Sequence, residues 1–337
     1  GGTFSLAPLH LHGTNLFYTV DGRTVREPAV DLVIRATLDS AKGNLSVEAF
    51  TLASAPFSFD ARGTVTDIRG LRQVILDGTQ ECDFARIGAW IGVFAGRPFE
   101  MEGKQPDRFH LEVSLAGPTL LDRVRTLRAE AGIHLASLKS FGMQLQKLDL
   151  QVKASDGKIL TSLNTTVNEG TVVIAPQLNL GGVRPLLTVP PDSRVLEKVK
   201  LTDEMASELM GLIHPLFRGS SVLAGQVGLT LASCMVPLDS RMKQDMRVAG
   251  SLDLAETKLE PAGLLKSLLE VARLESKAVT IPAQTISFVC QDGRLEPSPL
   301  VFQQDEYRMT LAGSVGLDGT VDYTASIPVT RKMVSKD

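Results

Sequence analysis

Apolar and polar residues alternate with a period of two along most of the chain. The clearest segment is 148–154, where Leu148 and Leu150 flank Asp149 and the alternation then continues. This period places one side of a strand in a core and the other side in solvent. The same alternation marks four further strands, at residues 45–49, 109–115, 222–231 and 248–254. The sequence therefore predicts a mainly β protein.

Aspartate–glycine pairs separate the alternating segments, at Asp21-Gly22, Asp156-Gly157, Asp292-Gly293 and Asp318-Gly319. A type I′ hairpin turn requires positive φ at both central residues, and Asp-Gly satisfies that requirement. Gly250 lies inside a predicted strand and predicts a β-bulge there. We expect an elongated, twisted, antiparallel sheet built as a repeated β-meander. Alternation does not decide whether its apolar face forms an open groove or a closed core.

Four segments have a helical period instead: residues 83–95, 119–130, 202–216 and 261–275. Thr202 is a candidate N-cap, Pro215 should kink or end its helix, and Pro261 opens the last helix. Each helix has one apolar stripe. We expect the stripe to cover the sheet, and membrane contact is the alternative.

A glycine-spaced motif recurs near both ends of the chain. Gly43-Asn44-Leu45 is followed twenty residues later by Gly63-Thr64-Val65, and Gly293-Arg294-Leu295 is followed at the same spacing by Gly313-Ser314-Val315. Each pair encloses an outgoing strand, a turn and a return strand. The spacing predicts a repeated strand–turn–strand unit.

Glycine and proline clusters indicate linkers at residues 181–191 and 233–244. The first divides the chain into an N-terminal portion, 1–185, and a C-terminal portion, 192–337. One continuous β structure through both portions is the alternative.

Composition excludes some classes of function. The 337 residues are 43% hydrophobic and 22% charged, and a formal net charge of −3 lacks the basic footprint of a nucleic-acid-binding protein. The densest basic stretch, Arg123, Arg125 and Arg128, is expected to be a solvated helix face. No run reaches the roughly 18 apolar residues of a membrane span.

The three cysteines leave the redox state open. Cys234 and Cys290 both lie in predicted strands and can form a bridge if they are neighbours, which would leave Cys82 free. Buried, unpaired thiols are the favoured interpretation.

Residues with catalytic potential are scattered. His10 and His12 share one side of a strand, but zinc sites use three or four protein ligands, and His110, His134 and His214 occur singly. A carboxylate pair for acid–base chemistry would have to come from strand residues such as Asp60, Asp77, Glu112 and Asp149, which we expect to be solvated. Nucleotide-binding loops and nucleophile elbows are absent from the sequence. We predict no catalytic, metal-ligating or cofactor-binding residues, no cofactor, and no enzymatic activity.

The tail, residues 307–329, has a strand of small residues that reaches Gly313, an Asp318-Gly319 turn and a final strand ending in Ile327-Pro328. It resembles the C-terminal region of the AsmA-like proteins of the bacterial envelope. The resemblance covers roughly residues 245–330 and includes the helix at 261–275.

The resemblance implies an inner-membrane-anchored protein whose body lies in the periplasm of a Gram-negative-type bacterium. It implies lipid transport or outer-membrane biogenesis through an apolar β-groove, with a phospholipid or other acyl lipid as partner and no nucleic acid. The N-terminal anchor helix of that family is not in this sequence, so we expect a fragment of a longer protein. A scaffold that binds protein partners without lipid is the alternative, and a carbohydrate- or metal-dependent enzyme is a third hypothesis.

Overall fold

The computed structural model describes residues 2–20, 22–95, 99–239, 241–275 and 277–327, apart from the side chains of Val20, Phe94 and Ala95. Asp21 of the first predicted turn and Pro328 of the tail lie outside the described residues. Strands make up 61% of the chain and helices 14%. The fold is a large open antiparallel sheet with a few short helices, which confirms the predicted fold class.

The first fourteen strands are β1 (Thr3–Ser5), β2 (Leu9–Val20), β3 (Arg23–Asp39), β4 (Asn44–Ser54), β5 (Phe57–Thr66), β6 (Gln73–Cys82), β7 (Glu100–Glu102), β8 (Pro106–Ser114), β9 (Arg128–Ser140), β10 (Met143–Ser155), β11 (Lys158–Leu160), β12 (Leu163–Val167), β13 (Gly170–Ile174) and β14 (Gln177–Asn179). The remaining strands are β15 (Leu186–Val189), β16 (Ser193–Lys200), β17 (Ser221–Ala224), β18 (Gln226–Pro237), β19 (Arg247–Leu254), β20 (Thr257–Glu260), β21 (Val279–Ile281), β22 (Gln284–Gln291), β23 (Arg294–Pro297), β24 (Leu300–Gln304), β25 (Tyr307–Gly316) and β26 (Val321–Ser326).

The helices are α1 (Phe84–Ala95), α2 (Leu120–Thr126), α3 (Asp203–Met205, continued by the π-helical turn Ala206–Met210 and by Gly211–Ile213), α4 (Met242–Asp245) and α5 (Gly263–Val271). A 3₁₀ turn, Pro215–Phe217, follows α3.

The chain forms two compact units. Unit 1 comprises Gly1–Lys139, Leu145–Ser162 and Pro176–Leu186, and unit 2 comprises Ser140–Gln144, Leu163–Ala175 and Leu187–Asp337.

Unit 1 is a meander in which sequence neighbours pair. Strands β2, β3, β4, β5, β6, β8, β9 and β10 follow one another through antiparallel ladders. β1 pairs with the end of β3, and β7 with the end of β9. Short turns produce most of this order, because consecutive antiparallel strands need only a hairpin; α1 and β7 intervene between β6 and β8, and α2 between β8 and β9.

Unit 2 has a closed core. Strands β16, β18, β19, β22, β23, β25 and β26 form one series of antiparallel pairs. Leu252, Ile286 and Phe302 are fully buried, as are Met205 and Met210 of α3 and Leu265 and Leu269 of α5. The apolar stripes of these two helices are therefore part of a core. Thr202 caps α3 by accepting a hydrogen bond from the Met205 amide, as predicted.

The glycine-spaced motif is a structural repeat. Leu45 pairs with Val65 in the first copy and Leu295 pairs with Val315 in the second. In both copies the ladder then gains one extra residue on the first strand, between Val47 and Phe50 and between β23 and β24. The second copy differs because β23 and β24 divide its first strand in two.

Several predicted details are wrong. Helix α2 ends at Thr126, and Arg128 begins β9, because Leu127 already has extended backbone angles. No residue of α2 is fully buried, and its stripe residues Leu121 and Val124 are only partly covered. The strand predicted over 222–231 is divided at Gly225, with β17 paired to β20 and β18 to β16 and β19.

The structure also differs from two further predictions, the bulge at Gly250 and the helix start at Pro261. A bulge does occur near Gly250, but its extra residue is on β18, between Leu231 and Ser233. These two residues pair with Gly250 and Ala249, which are consecutive on β19. A Cβ at Gly250 would lie 2.3 Å from the Thr230 carbonyl oxygen, so this glycine permits close strand approach. Pro261 precedes α5, which begins at Gly263 after an N-cap at Ala262.

All three cysteines are unpaired. Cys234 of β18 and Cys290 of β22 both pair with Val248 of β19, so one strand separates them. Two strand spacings are about 9.5 Å, whereas bridged cysteines have Cα atoms less than about 7 Å apart. Burial raises the pKa of all three thiols.

Candidate functional site

The strand registers of unit 1 gather its apolar side chains on one face, which we call the open face. One row across six strands runs Ile34, Phe50, Ala61, Gly78, Phe109 and Ala131. A second row runs Leu38, Leu45, Val65, Val74 and Val113. Between these rows the alternation supplies residues such as Ala36, Val47, Leu76 and Leu111, and Leu32 and Leu52 extend the face on the far side of the first row.

The open face is only partly covered. Among its residues on β3 to β8, Ala36 and Val47 are buried, and the other side chains retain exposed surface. Phe59 lies between Phe57 and Phe109, with ring centroids 5.6 Å apart in both edge-on pairs. These rings form an aromatic patch at the level of Ala61 and Gly78, where the neighbouring side chains are small. The patch offers apolar surface, and the polar side chain directly beside it, Gln80, donates a hydrogen bond from Nε2 to the Gly132 carbonyl oxygen.

Helix α1 and β7 border a mainly apolar groove of about 650 Å³ in the same unit, whose lining also includes Glu100 and Glu102. Ala85, Ala89 and Gly92 lie along its helix side, and Phe99 and Met101 along its strand side. Phe84 is buried, whereas Ile91 and Val93 are each 39% exposed. The predicted amphipathic helix is therefore present, and its stripe is only partly covered.

The opposite face of unit 1 is polar and contains two histidine–carboxylate clusters. In the first cluster, His110 Nδ1 is 2.7 Å from Asp77 Oδ1, and His110 Nε2 is 3.3 Å from Glu112 Oε1. His134 lies with Nδ1 2.6 Å from Asp149 Oδ1 and Nε2 2.9 Å from Asp107 Oδ2. A neutral imidazole has only one N–H, so two carboxylate contacts favour the imidazolium form.

The pKa values follow from these contacts. The hydrogen bond to Asp77 is the main cause that raises the pKa of His110. The hydrogen bond to Asp149 does the same for the pKa of His134, with Asp107 adding to it.

A depression of about 620 Å³ lies beside the first cluster on the polar face. Its rim includes Arg62, Asp77, Arg108, His110 and Glu130, so both signs of charge alternate around it. Lys153 forms an ion pair of 3.1 Å with Glu130 and continues the alternation onto β10. Cross-strand pairs of opposite charge stabilise a sheet, and this array accounts for the polar face without a ligand.

The remaining candidates from the sequence are separate from these clusters. His12 lies 2.5 Å from Asp31, and Asp60 accepts a hydrogen bond from Thr51. His214 is fully buried in unit 2, where burial lowers its pKa to about 4. Its Nδ1 accepts a hydrogen bond from the Leu216 amide, so it caps the 3₁₀ turn. No group of three or more potential metal ligands is found among the residues that the structure describes.

Sequence reasoning named Asp77, Glu112 and Asp149 separately from His110 and His134, and the structure brings them together. Asp107 and Asp31 were missed. The available signal was the alternation that put most of them on polar strand faces, whereas Asp107 alternates in step with Phe109 and Leu111; pairing any of them requires the strand register.

Comparison with protein-family models, curated proteins and solved structures gives no significant match. The fold and site define an open-faced antiparallel β protein. No helix in the described ranges is long and apolar enough to cross a membrane.

Proposed function

We propose that this chain binds acyl lipid on the open face of unit 1, as the periplasmic part of an AsmA-like protein of the bacterial envelope. The observation that carries the proposal is the contrast between the face of β3 to β8 in unit 1 and the core of unit 2; on β9 and β10 of unit 1, Leu135 and Leu148 are themselves buried. Both have alternating strands, but Leu252, Ile286 and Phe302 of unit 2 are fully buried, whereas Leu32, Leu52 and their neighbours keep exposed surface.

Acyl chains fit such a face physically. Burial of each methylene contributes about 0.8 kcal/mol, so ten methylenes give roughly 8 kcal/mol before the cost of association. The apolar rows cross six paired strands, which at about 4.8 Å per spacing extend roughly 24 Å. This length accommodates a long acyl chain, and the absence of fixed polar partners suits a cargo that slides.

The lipid proposal is tested by native mass spectrometry of the purified chain and by titration with a fluorescent phospholipid. Leu52→Lys introduces a charge into the open face, and Thr64→Lys puts the same charge on the polar face of the adjacent strand as the control. We expect bound lipid with the unaltered chain, at least a fivefold loss of affinity with Leu52→Lys, and little change with Thr64→Lys. Equal behaviour of the two variants, or no lipid binding by the unaltered chain, contradicts the proposal.

Periplasmic location and anchorage to the inner membrane are supported by the resemblance of residues 245–330 alone. A fusion of the full-length protein to alkaline phosphatase tests them, because that reporter is active only outside the cytoplasm. We expect phosphatase activity in the membrane fraction. An inactive, soluble fusion argues against this part of the proposal.

A scaffold that binds protein partners without lipid is the second candidate. It is favoured by the long, exposed edge strand β2, because strand addition to a free sheet edge is a common mode of protein recognition.

A further inference from the structure

Strand β2 is a long sheet edge with one neighbour. All its pairings, from Leu9 opposite Ile34 to Val20 opposite Arg23, are with β3. Within the described residues, no second strand forms a ladder with its other side. The register is continuous along the ladder; Asn15, which adopts φ 51°, lies opposite Pro28 at the one step without a ladder pair.

The composition of β2 is that of a central strand. Natural edge strands are protected by charged residues, especially lysine, or by proline. The twelve residues of β2 include no Asp, Glu, Lys, Arg or Pro, and no charged residue occurs before Asp21. β18 is the other twelve-residue strand without charge, and it has neighbours on both sides, β16 and β19. The comparison with β18 indicates that β2 has the composition of a strand with two neighbours, whereas only one neighbour, β3, is present.

The edge also exposes apolar side chains. Phe17 is 75% exposed, Phe4 of the adjoining β1 is 56%, and Leu9, Leu11 and Leu16 are 47%, 53% and 44%. At about 200 Å² for each aromatic residue, Phe17 and Phe4 present roughly 260 Å² per copy, to which the three leucines add. A stable interface buries about 800 Å² per partner, and the strand backbone and the other side chains supply the remainder.

We infer that β2 is the interface of a homodimer, in which the β2 strands of two copies pair antiparallel about a twofold axis. The missing neighbour must be a free edge of similar length without charge. Among the edge strands within the described residues, β12 has five residues, and β26 has six and contains Asp322, so neither matches. A second β2 matches in length and composition, and a twofold pairing closes the assembly at two copies. This inference does not depend on lipid binding.

Sedimentation velocity from 1 to 100 µM tests it. We expect the unaltered chain to dimerise with increasing concentration. Phe17→Lys should raise the dissociation constant at least tenfold, because it puts two lysines into one paired edge. Leu120→Lys is the matched control, since Leu120 is also 75% exposed and α2 buries no residue. We expect that variant to dimerise normally.

Two further measurements exclude trivial explanations. An equimolar mixture of Phe17→Lys and Phe17→Glu should regain association, which an unfolded variant would not do. Hydrogen exchange should show β2 amides protected more strongly at 100 µM than at 1 µM. A chain that stays monomeric at 100 µM, a dimer that tolerates Phe17→Lys, or β2 protection independent of concentration overturns the inference. Binding of β2 to vesicles or to a different protein by a monomeric chain overturns it as well.

Discussion

Gly63 and Gly313 hold equivalent positions in the structural repeat, and each lies against the backbone of the next strand. A Cβ added at Gly63 would be 1.9 Å from the Ile75 carbonyl oxygen, and one at Gly313 would be 2.0 Å from the Asp322 carbonyl oxygen. We predict that Gly63→Ala and Gly313→Ala both destabilise the fold strongly. Gly228→Ala is the control, because its Cβ would meet its nearest atom, the Leu196 carbonyl oxygen, at 3.4 Å.

The magnitude follows from the displacement that each methyl group requires. Ordinary contact begins near 3.4 Å, so the facing strands must separate by more than an ångström or rotate out of register. Overpacking of this kind costs about 1–3 kcal/mol, and each backbone hydrogen bond that is lost adds about 1 kcal/mol. We expect a loss of about 2–4 kcal/mol at either repeat glycine. Gly228→Ala should gain up to about 1 kcal/mol, because alanine loses less backbone entropy on folding.

Urea denaturation followed by circular dichroism measures the overall change in unfolding free energy. Hydrogen exchange locates it, in β5 and β6 for Gly63→Ala and in β25 and β26 for Gly313→Ala. Trp90, the single tryptophan, reports on unit 1 by fluorescence. If either repeat variant costs less than 1 kcal/mol, or if the Gly228 variant costs as much, the explanation from close strand approach is refuted.

Three further predictions concern the core, the polar face and a helix cap. Phe302→Ala should cost about 3–5 kcal/mol in urea denaturation, because a fully buried phenylalanine leaves a cavity; a cost below 1 kcal/mol would mean that the core is not closed. The raised pKa values of His110 and His134 stabilise unit 1 fully below the unfolded pKa near 6.5, and this contribution is lost as pH rises through the folded values. Tryptophan-monitored denaturation should therefore show a stability lower by up to about 1 kcal/mol at pH 8.5 than at pH 6, since both side chains are partly exposed, and the double variant His110→Gln/His134→Gln should lack this difference. Thr202→Ala should cost about 1 kcal/mol through the lost N-cap of α3, and Thr202→Ser should restore most of it.

Alternation and turn chemistry were sufficient to predict the strands and the meander. Asp292 adopts φ 50° and Gly293 φ 76°, as a turn of this type requires. Boundaries failed where two patterns overlap: the apolar period of 119–130 continues past Leu127, but the backbone is already extended there. The division at Gly225 also had no local signal, because β17 and β18 choose different partners far along the chain.

The candidate site was less accessible to sequence reasoning. Leu111 and Leu252 both occur in regular alternating segments, yet only the second belongs to a closed core, because closure depends on which elements pack on the face. His110 and Asp77 are 33 residues apart, and only the register of β6 against β8 makes them neighbours. Local patterns predict which side of a strand a residue occupies, and they leave its partner across the sheet undetermined.

The position of Cys234 and Cys290 on either side of Val248 has a practical consequence. An intervening strand keeps the two sulfur atoms out of bonding range. The two cysteines therefore cannot form a disulfide with each other in the native state. Unit 2 should therefore refold without an oxidant or a disulfide isomerase. The stability of its core should be the same in reducing and in oxidising buffer.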